Sequence, residues 1–157
     1  MDRNLLELYE DGGRKLTKAV EHLDRNDLTA FPVPNTWSIQ QLVVHLADCD
    51  LVFSDRIKRV VAEDKPQLLA FDESRWAKNL HYELQSPQDA VELFALNRRV
   101  TAAVLKVLPD EAFARTGVHS EKGELKLEQI VRTAVNHLDH HLKFLYDKRE
   151  KLGKMMW

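Results

Sequence analysis

The sequence predicts an all-α protein built as a four-helix bundle. Two observations carry that expectation. Four stretches of the chain place apolar residues at helical spacing, and the glycines and prolines, five of each in 157 residues, fall mostly where those stretches end or connect. A chain of this length can bury roughly 70% of the surface it exposes when unfolded, so four helices can share a core. There is no internal repeat, low-complexity tract or charge block, and residues 1–157 are expected to form one domain.

The first helix is expected over about residues 5–23, with Leu5, Leu8, Tyr9, Leu16, Val20 and Leu23 on one stripe. Gly12 and Gly13 lie inside it at a cost of about 1 kcal/mol each relative to alanine. Close packing of a neighbouring helix is the physical reason to keep them. The Phe31-Pro32-Val33-Pro34 segment then interrupts helix, since a proline disfavours helical backbone in the residue before it.

Ser38 opens the second helix, and Gln41, three residues on, completes a capping-box pattern. Ile39, Leu42, Leu46, Phe53, Ile57 and Val60 carry its stripe to about residue 62. In the third helix Ser86 caps, Pro87 takes the first helical position and Asp89 stands where a box would close. Its apolar set is Val91, Leu93, Phe94, Leu96, Val100, Val104, Leu105 and Leu108, ending at Pro109. The fourth helix covers about residues 125–151, with Leu127, Ile130, Ala134, Leu138 and Leu145 on one face. Residues 65–85 are too many for a plain turn, and Phe71, Trp76 and Tyr82 predict that this segment packs over the bundle with a short helix of its own.

Composition narrows the function. Twenty-three Lys and Arg against 25 Asp and Glu give a formal charge of −2, which implies neither a nucleic-acid partner nor an acidic membrane surface. No run approaches the ~18 apolar residues of a membrane helix. The opening MDRNLLELYEDGG has no basic segment followed by an apolar run, so no secretion signal is expected. Cys49 is the only cysteine, which excludes an internal disulfide and suits a reducing, cytoplasmic setting.

Helix geometry sorts the seven histidines. In NHLDHHLKF, His137 and His141 lie one turn apart, about 40° from each other around the axis and within roughly 70° of the centre of the apolar stripe. His140 points about 130° away, on the side of Asn136, Lys143 and Asp147, and is expected at the surface. Two imidazoles at this spacing can hold one side of a metal ion such as zinc, and the third ligand must come from another element. His45, at the edge of the second helix's stripe in VVHLADCD, is the best candidate. A hydrogen-bonded core or boundary histidine is the plainer alternative for each of them.

With these residues in view, the chain resembles the DinB/YfiT-like family of bacterial four-helix metalloproteins. Trp37, Ser38, Ile39, His45, Leu46, Ala47 and Asp48, within TWSIQQLVVHLADCD, match a Trp-Ser-Ile opening followed by His-Leu-Ala-Asp. His137 and His141 match the final His-x-x-x-His, and AFDESRW at residues 70–76 is similar to a connecting segment of the YfiT-like branch. The resemblance implies an up-down-down-up bundle with an open metal face, a site of His45, His137 and His141 for one Ni2+ or Zn2+ ion, and a homodimer. Lys126 departs from the pattern, standing where relatives commonly have Ser or Thr to open the last helix.

Other residues are weaker candidates. Cys49, four residues after His45, could reach the same side of its helix, although a free buried cysteine is the commoner arrangement. Asp48 and Asp50 could accept an imidazole N–H or act as a catalytic base, or be ordinary interhelical acids. Asp72, Trp76 and His119 lie in connecting segments that could approach the open side and bind a small-molecule substrate. Tyr82 reads as lid or core, His22 and His81 as surface, and Trp157 as an exposed end or interface contact. Three protein ligands leave a position for a reactant. Resemblance to thiol S-transferase members implies a low-molecular-weight thiol, bacillithiol or one like it, delivered to an electrophile. Hydrolysis by an acidified water and a non-catalytic binding module are the alternatives.

Overall fold

The computed structural model describes residues 3–156, and Trp157 lies outside them. Helix α1 (Arg3–Val20) leads through the short α2 (Arg25–Thr29) to α3 (Ile39–Ala62). A long crossover then contains strand β1 (Gln67–Leu68), helix α4 (Glu73–Asn79) and a 3-10 turn (Tyr82–Leu84) before α5 (Pro87–Lys106). A second 3-10 turn (Asp110–Ala114) and the hairpin of β2 (Thr116–His119) and β3 (Gly123–Lys126) lead into α6 (Leu127–Lys151).

Side-chain pairings fix the directions of the four long helices. Gly12 approaches Leu138, Lys15 pairs with Asp139, and Arg149 donates to the Ala19 carbonyl, so α1 and α6 run parallel. Gly13 abuts Ala95 and Glu10 pairs with Lys106, which makes α5 antiparallel to α1. Gln40 donates to the Gln85 carbonyl and Asp50 accepts from Asn97, so α3 and α5 run the same way. The order is up-down-down-up. It has a geometric consequence. Two consecutive parallel helices cannot be joined by a short turn, so the chain must travel back along roughly 36 Å of α3 before α5 can begin. Residues 63–86 make that journey.

Close packing explains the glycines in α1. A Cβ on Gly13 would lie 2.9 Å from the backbone Cα of Ala95, and one on Gly12 would lie 2.9 Å from Leu138 Cδ2. The core forms two clusters stacked along the bundle, one around Leu16, Leu46, Phe94 and Leu138, the other around Tyr9, Ile57, Leu105 and Ala134. Between them in the sequence of each helix lies a polar layer. Asp50 accepts from Arg98 Nε and from Asn97 Nδ2, and Arg98 also donates to the carbonyls of Tyr9 and Ala134. The Arg98 guanidinium rests 4.2 Å from the Tyr9 ring centroid.

Several sequence expectations are corrected. The fold is mostly helical but not strictly all-α, because β1, β2 and β3 form a three-stranded sheet in that order, β1 parallel to β2 and β2 antiparallel to β3. Helix α1 stops at Val20, where a turn leads to His22 at a left-handed φ of 63°. Helix α6 begins at Leu127, two residues later than expected, because residues 123–126 pair as a strand. Lys126 cannot accept a hydrogen bond, so only half of a capping box forms there, with Gln129 Oε1 accepting the Lys126 N–H. The stripe assigned to α5 is also too wide, since Leu93, Leu96 and Val100 are 42%, 48% and 49% exposed.

Candidate metal centre

The capping box at Ser38 forms as expected. Ser38 Oγ accepts the Gln41 N–H, and Gln41 Oε1 accepts the Ser38 N–H. With the start of α3 fixed there, His45 falls two turns inside the bundle, fully buried, its ring 4.8 Å from that of Trp37. Because α6 runs antiparallel to α3, His141 and then His137 come alongside. The ring centroids are 4.7 Å apart for His45 and His141, 5.2 Å for His45 and His137, and 4.5 Å for His137 and His141.

One pair of nitrogens has the spacing of ligands that share an ion. His45 Nε2 lies 3.2 Å from His141 Nε2. Two nitrogens held at about 2.0–2.1 Å by one tetrahedral ion stand about 3.3–3.4 Å apart, so the observed spacing fits shared coordination. His137 Nε2 is buried with no hydrogen-bond partner among the described residues, an arrangement that is costly for a polar atom unless something else engages it. Burial pushes the imidazoles of His45 and His137 down to about 3 and that of His141 down to about 4, with neighbouring histidines adding to the effect. Near neutral pH all three are uncharged, the form that ligates.

Two further donors face this cluster. The ligand atoms of His45, Cys49, Glu73 and His137 lie within 4.8 Å of one another. Glu73 Oε2 is 3.9 Å from His45 Nε2, and half-burial raises the carboxyl's affinity for a proton, reinforced by Asp72 beside it. Cys49 Sγ lies 3.6 Å from the His45 ring nitrogens. Burial, and next the Glu73 charge, push the thiol well above its ordinary value. Cys49 is therefore both the free buried cysteine and the neighbour of His45 that the sequence allowed.

The remaining candidates divide. His119 comes to the cluster's edge and lines the same cavity as His137, Cys49 and Glu73. Its Nδ1 accepts the N–H groups of Glu121 and Lys122, which closes the β2–β3 turn and leaves the proton on Nε2. Asp72 does not line that cavity; it caps α4, accepting the Arg75 N–H at 2.9 Å, and the adjacent Glu73 faces the histidines instead. Trp76 packs on Phe71 at 4.6 Å and borders a different cavity. Asp50 is engaged by Arg98 and Asn97, and Asp48 accepts the Tyr82 hydroxyl at 2.6 Å, so neither carboxylate takes an imidazole proton. Tyr82 is fully buried, which makes it core. His140 is exposed, as expected, as are His22 and His81.

Glu73 was missed in the sequence because α4 has only seven residues, too few for periodicity to orient them. The one available signal was its place at the first position after a capping Asp72. Two cavities flank the histidines. One, of about 240 Å³, is lined by His137, Cys49, Glu73, Arg56 and His119. The other, of about 360 Å³, is lined by His141, Trp37, Leu42, Phe144 and Lys148.

Residues 8–145 match the DinB superfamily. The chain is 32% identical over 120 residues, 76% of its own length and 70% of the other's, to a protein of Halalkalibacterium halodurans named "putative metal-dependent hydrolase". It is 26% identical over 149 residues to YfiT of Bacillus subtilis, which carries the same description, covering 94% of this chain and 84% of that one. The solved structure of YfiT, described as an unusual four-helix bundle, superposes with a TM-score of 0.89 at 25% identity over 96% of this chain and 87% of that one. A DinB-like protein of the same organism shares the fold, with a TM-score of 0.66 at 16% identity over 98% of this chain and 94% of that one.

Proposed function

The chain belongs to the DinB superfamily, and on that premise we propose that it is a metal-dependent hydrolase whose ion is held by His45, His137 and His141. The observation that carries this reading is the packing of three neutral imidazoles against one another, ring centroids 4.5–5.2 Å apart, with a half-buried carboxylate 3.9 Å from His45 Nε2. A divalent ion bound there would acidify water and polarise the bond to be cleaved.

The chain's own residues supply the rest. Glu73 holds a carboxylate beside the ligands, and its raised proton affinity suits it to take a proton from the attacking nucleophile and return it to the leaving group. Its exposure lets it exchange that proton with solvent. Trp37, Phe53 and the buried walls on either side restrict water around the histidines. Cys49, whose thiol burial keeps protonated when no ion is bound, lines the cavity beside the histidines.

A second reading, thiol S-transfer, is favoured by a separate observation. The histidines are reached from two cavities, one beside His141 and one beside His137, so two reactants could approach from different sides. A thiol entering beside His137 would give its proton to Glu73 and form a carbon–sulfur bond with an electrophile seated beside His141, whose leaving group would depart with the bonding pair and take up that proton.

The test uses protein loaded with zinc or nickel. A panel of activated esters and amides without thiol should be hydrolysed, and Glu73→Gln should lower kcat by roughly 10²–10⁴ with metal content unchanged. Consumption of an electrophile only when a low-molecular-weight thiol is added selects the transferase. Inactivity in both assays contradicts the enzymatic reading and leaves a binding module.

A further inference from the structure

Lys148 is a buried charge that the metal centre does not explain. Its side chain is only 3% exposed, yet among the described residues no carboxylate oxygen lies within 4 Å of its ammonium. The Thr36 hydroxyl accepts one of its three protons, while Thr36 directs its own proton to the Val33 carbonyl. Burial accordingly pulls the lysine's proton affinity down, with Asp147 opposing. An ammonium so placed is costly unless something pairs with it.

The surroundings show where a partner would sit. Lys148 stands seven residues after His141 on α6, two turns along the same face. Both line the cavity of about 360 Å³, where Val33, Trp37, Leu42 and Phe144 give mostly apolar surface and Asn35, Thr36, Ser74 and Asp147 add polar groups. Its volume is in the range of small-molecule sites, and a few polar groups set in mostly apolar surface are the pattern that fixes a ligand's orientation. The position of Lys148 in the last turn of α6 supports the cation, because the helix dipole is negative there. The same dipole, and the Asp147 carboxylate at the cavity wall, oppose a doubly charged phosphate, which would demand several more donors.

We propose that this cavity is the substrate pocket, that it takes an apolar-bodied carboxylic acid, and that Lys148 receives the carboxylate while the reacting end lies toward His141. The direction toward the ion rests on the metal-dependent reading above; the carboxylate site itself does not.

Calorimetric titration with hexanoate and with its neutral counterpart 1-hexanol tests this, on protein with and without bound zinc. Wild-type protein should bind hexanoate at least about tenfold more tightly than 1-hexanol. Lys148→Met should abolish that preference while keeping 1-hexanol affinity, zinc content and the thermal transition. Lys148→Arg should keep the preference. Equal affinities in the wild type, no hexanoate binding, or a preference that survives in Lys148→Met would each overturn the assignment. A protein that binds hexanoate through Lys148 but takes up no zinc retains the carboxylate pocket and contradicts only the metal reading.

Discussion

His137 Nε2 is enclosed without a partner among the described residues, His45 Nε2 and His141 Nε2 stand 3.2 Å apart, and all three rings are held uncharged by burial. A merely structural set of histidines would be expected to satisfy its nitrogens with carbonyls or carboxylates. Cys49 lies beside the same histidines, its thiol kept protonated by burial when no ion is bound. With three histidines as the ligands, Cys49→Ala should retain the ion, and metal content measured on that variant checks it; loss of the ion would make the sulfur a ligand. His137 and His141 were legible in the sequence because a 25-residue helix has a well-defined face. His45 was permitted by periodicity and named by resemblance. Lys148 and Glu73 were not legible. A lysine near a helix end normally reads as solvated, and its burial depends on Thr36 and Trp37, more than 100 residues earlier.

Among the elements, the polar layer and the glycine contacts set the spacing that the histidines need. Asp50→Ala leaves Arg98 buried without its counter-ion, and should cost about 3–5 kcal/mol in a urea titration. Gly13→Ala should also destabilise, by roughly 1–3 kcal/mol, because the added carbon meets the Ala95 backbone and cannot be relieved by a rotamer change. A gain in stability would show that α1 and α5 can separate to admit it. The capping box of α3, the proline-led start of α5 and the glycines of α1 were all readable in advance, since each is a local signal. The sheet was not. Its strands have two to four residues, too short for alternation to register, and β1 pairs with a strand some 50 residues away. The crossover is the element that matters most for function. It exists because α3 and α5 run parallel, and in returning along α3 it carries Glu73 to the histidines.

For the molecule as a whole, the proposed centre would couple stability to pH and to metal. The imidazoles of His45, His137 and His141 bind protons less readily folded than unfolded, where their value is about 6.5. Below that pH the unfolded chain takes up protons that the folded one refuses. Stability of the metal-free protein should then be level above about pH 6.5 and fall as the pH drops toward 4, by up to about 1.4 kcal/mol per pH unit for each histidine. Thermal unfolding across that range checks it, and a flat profile would mean the rings are not buried as described. Saturating zinc, at a hundred times its dissociation constant, should add about 2.7 kcal/mol and raise Tm by roughly 5–11 °C. The most direct measurement is elemental analysis of purified wild-type protein and His141→Ala after loading with zinc or nickel and removal of free ion. The three-histidine centre predicts about one ion per wild-type chain and essentially none in the variant. A wild-type chain that takes up no ion, or a variant that keeps it, contradicts the centre.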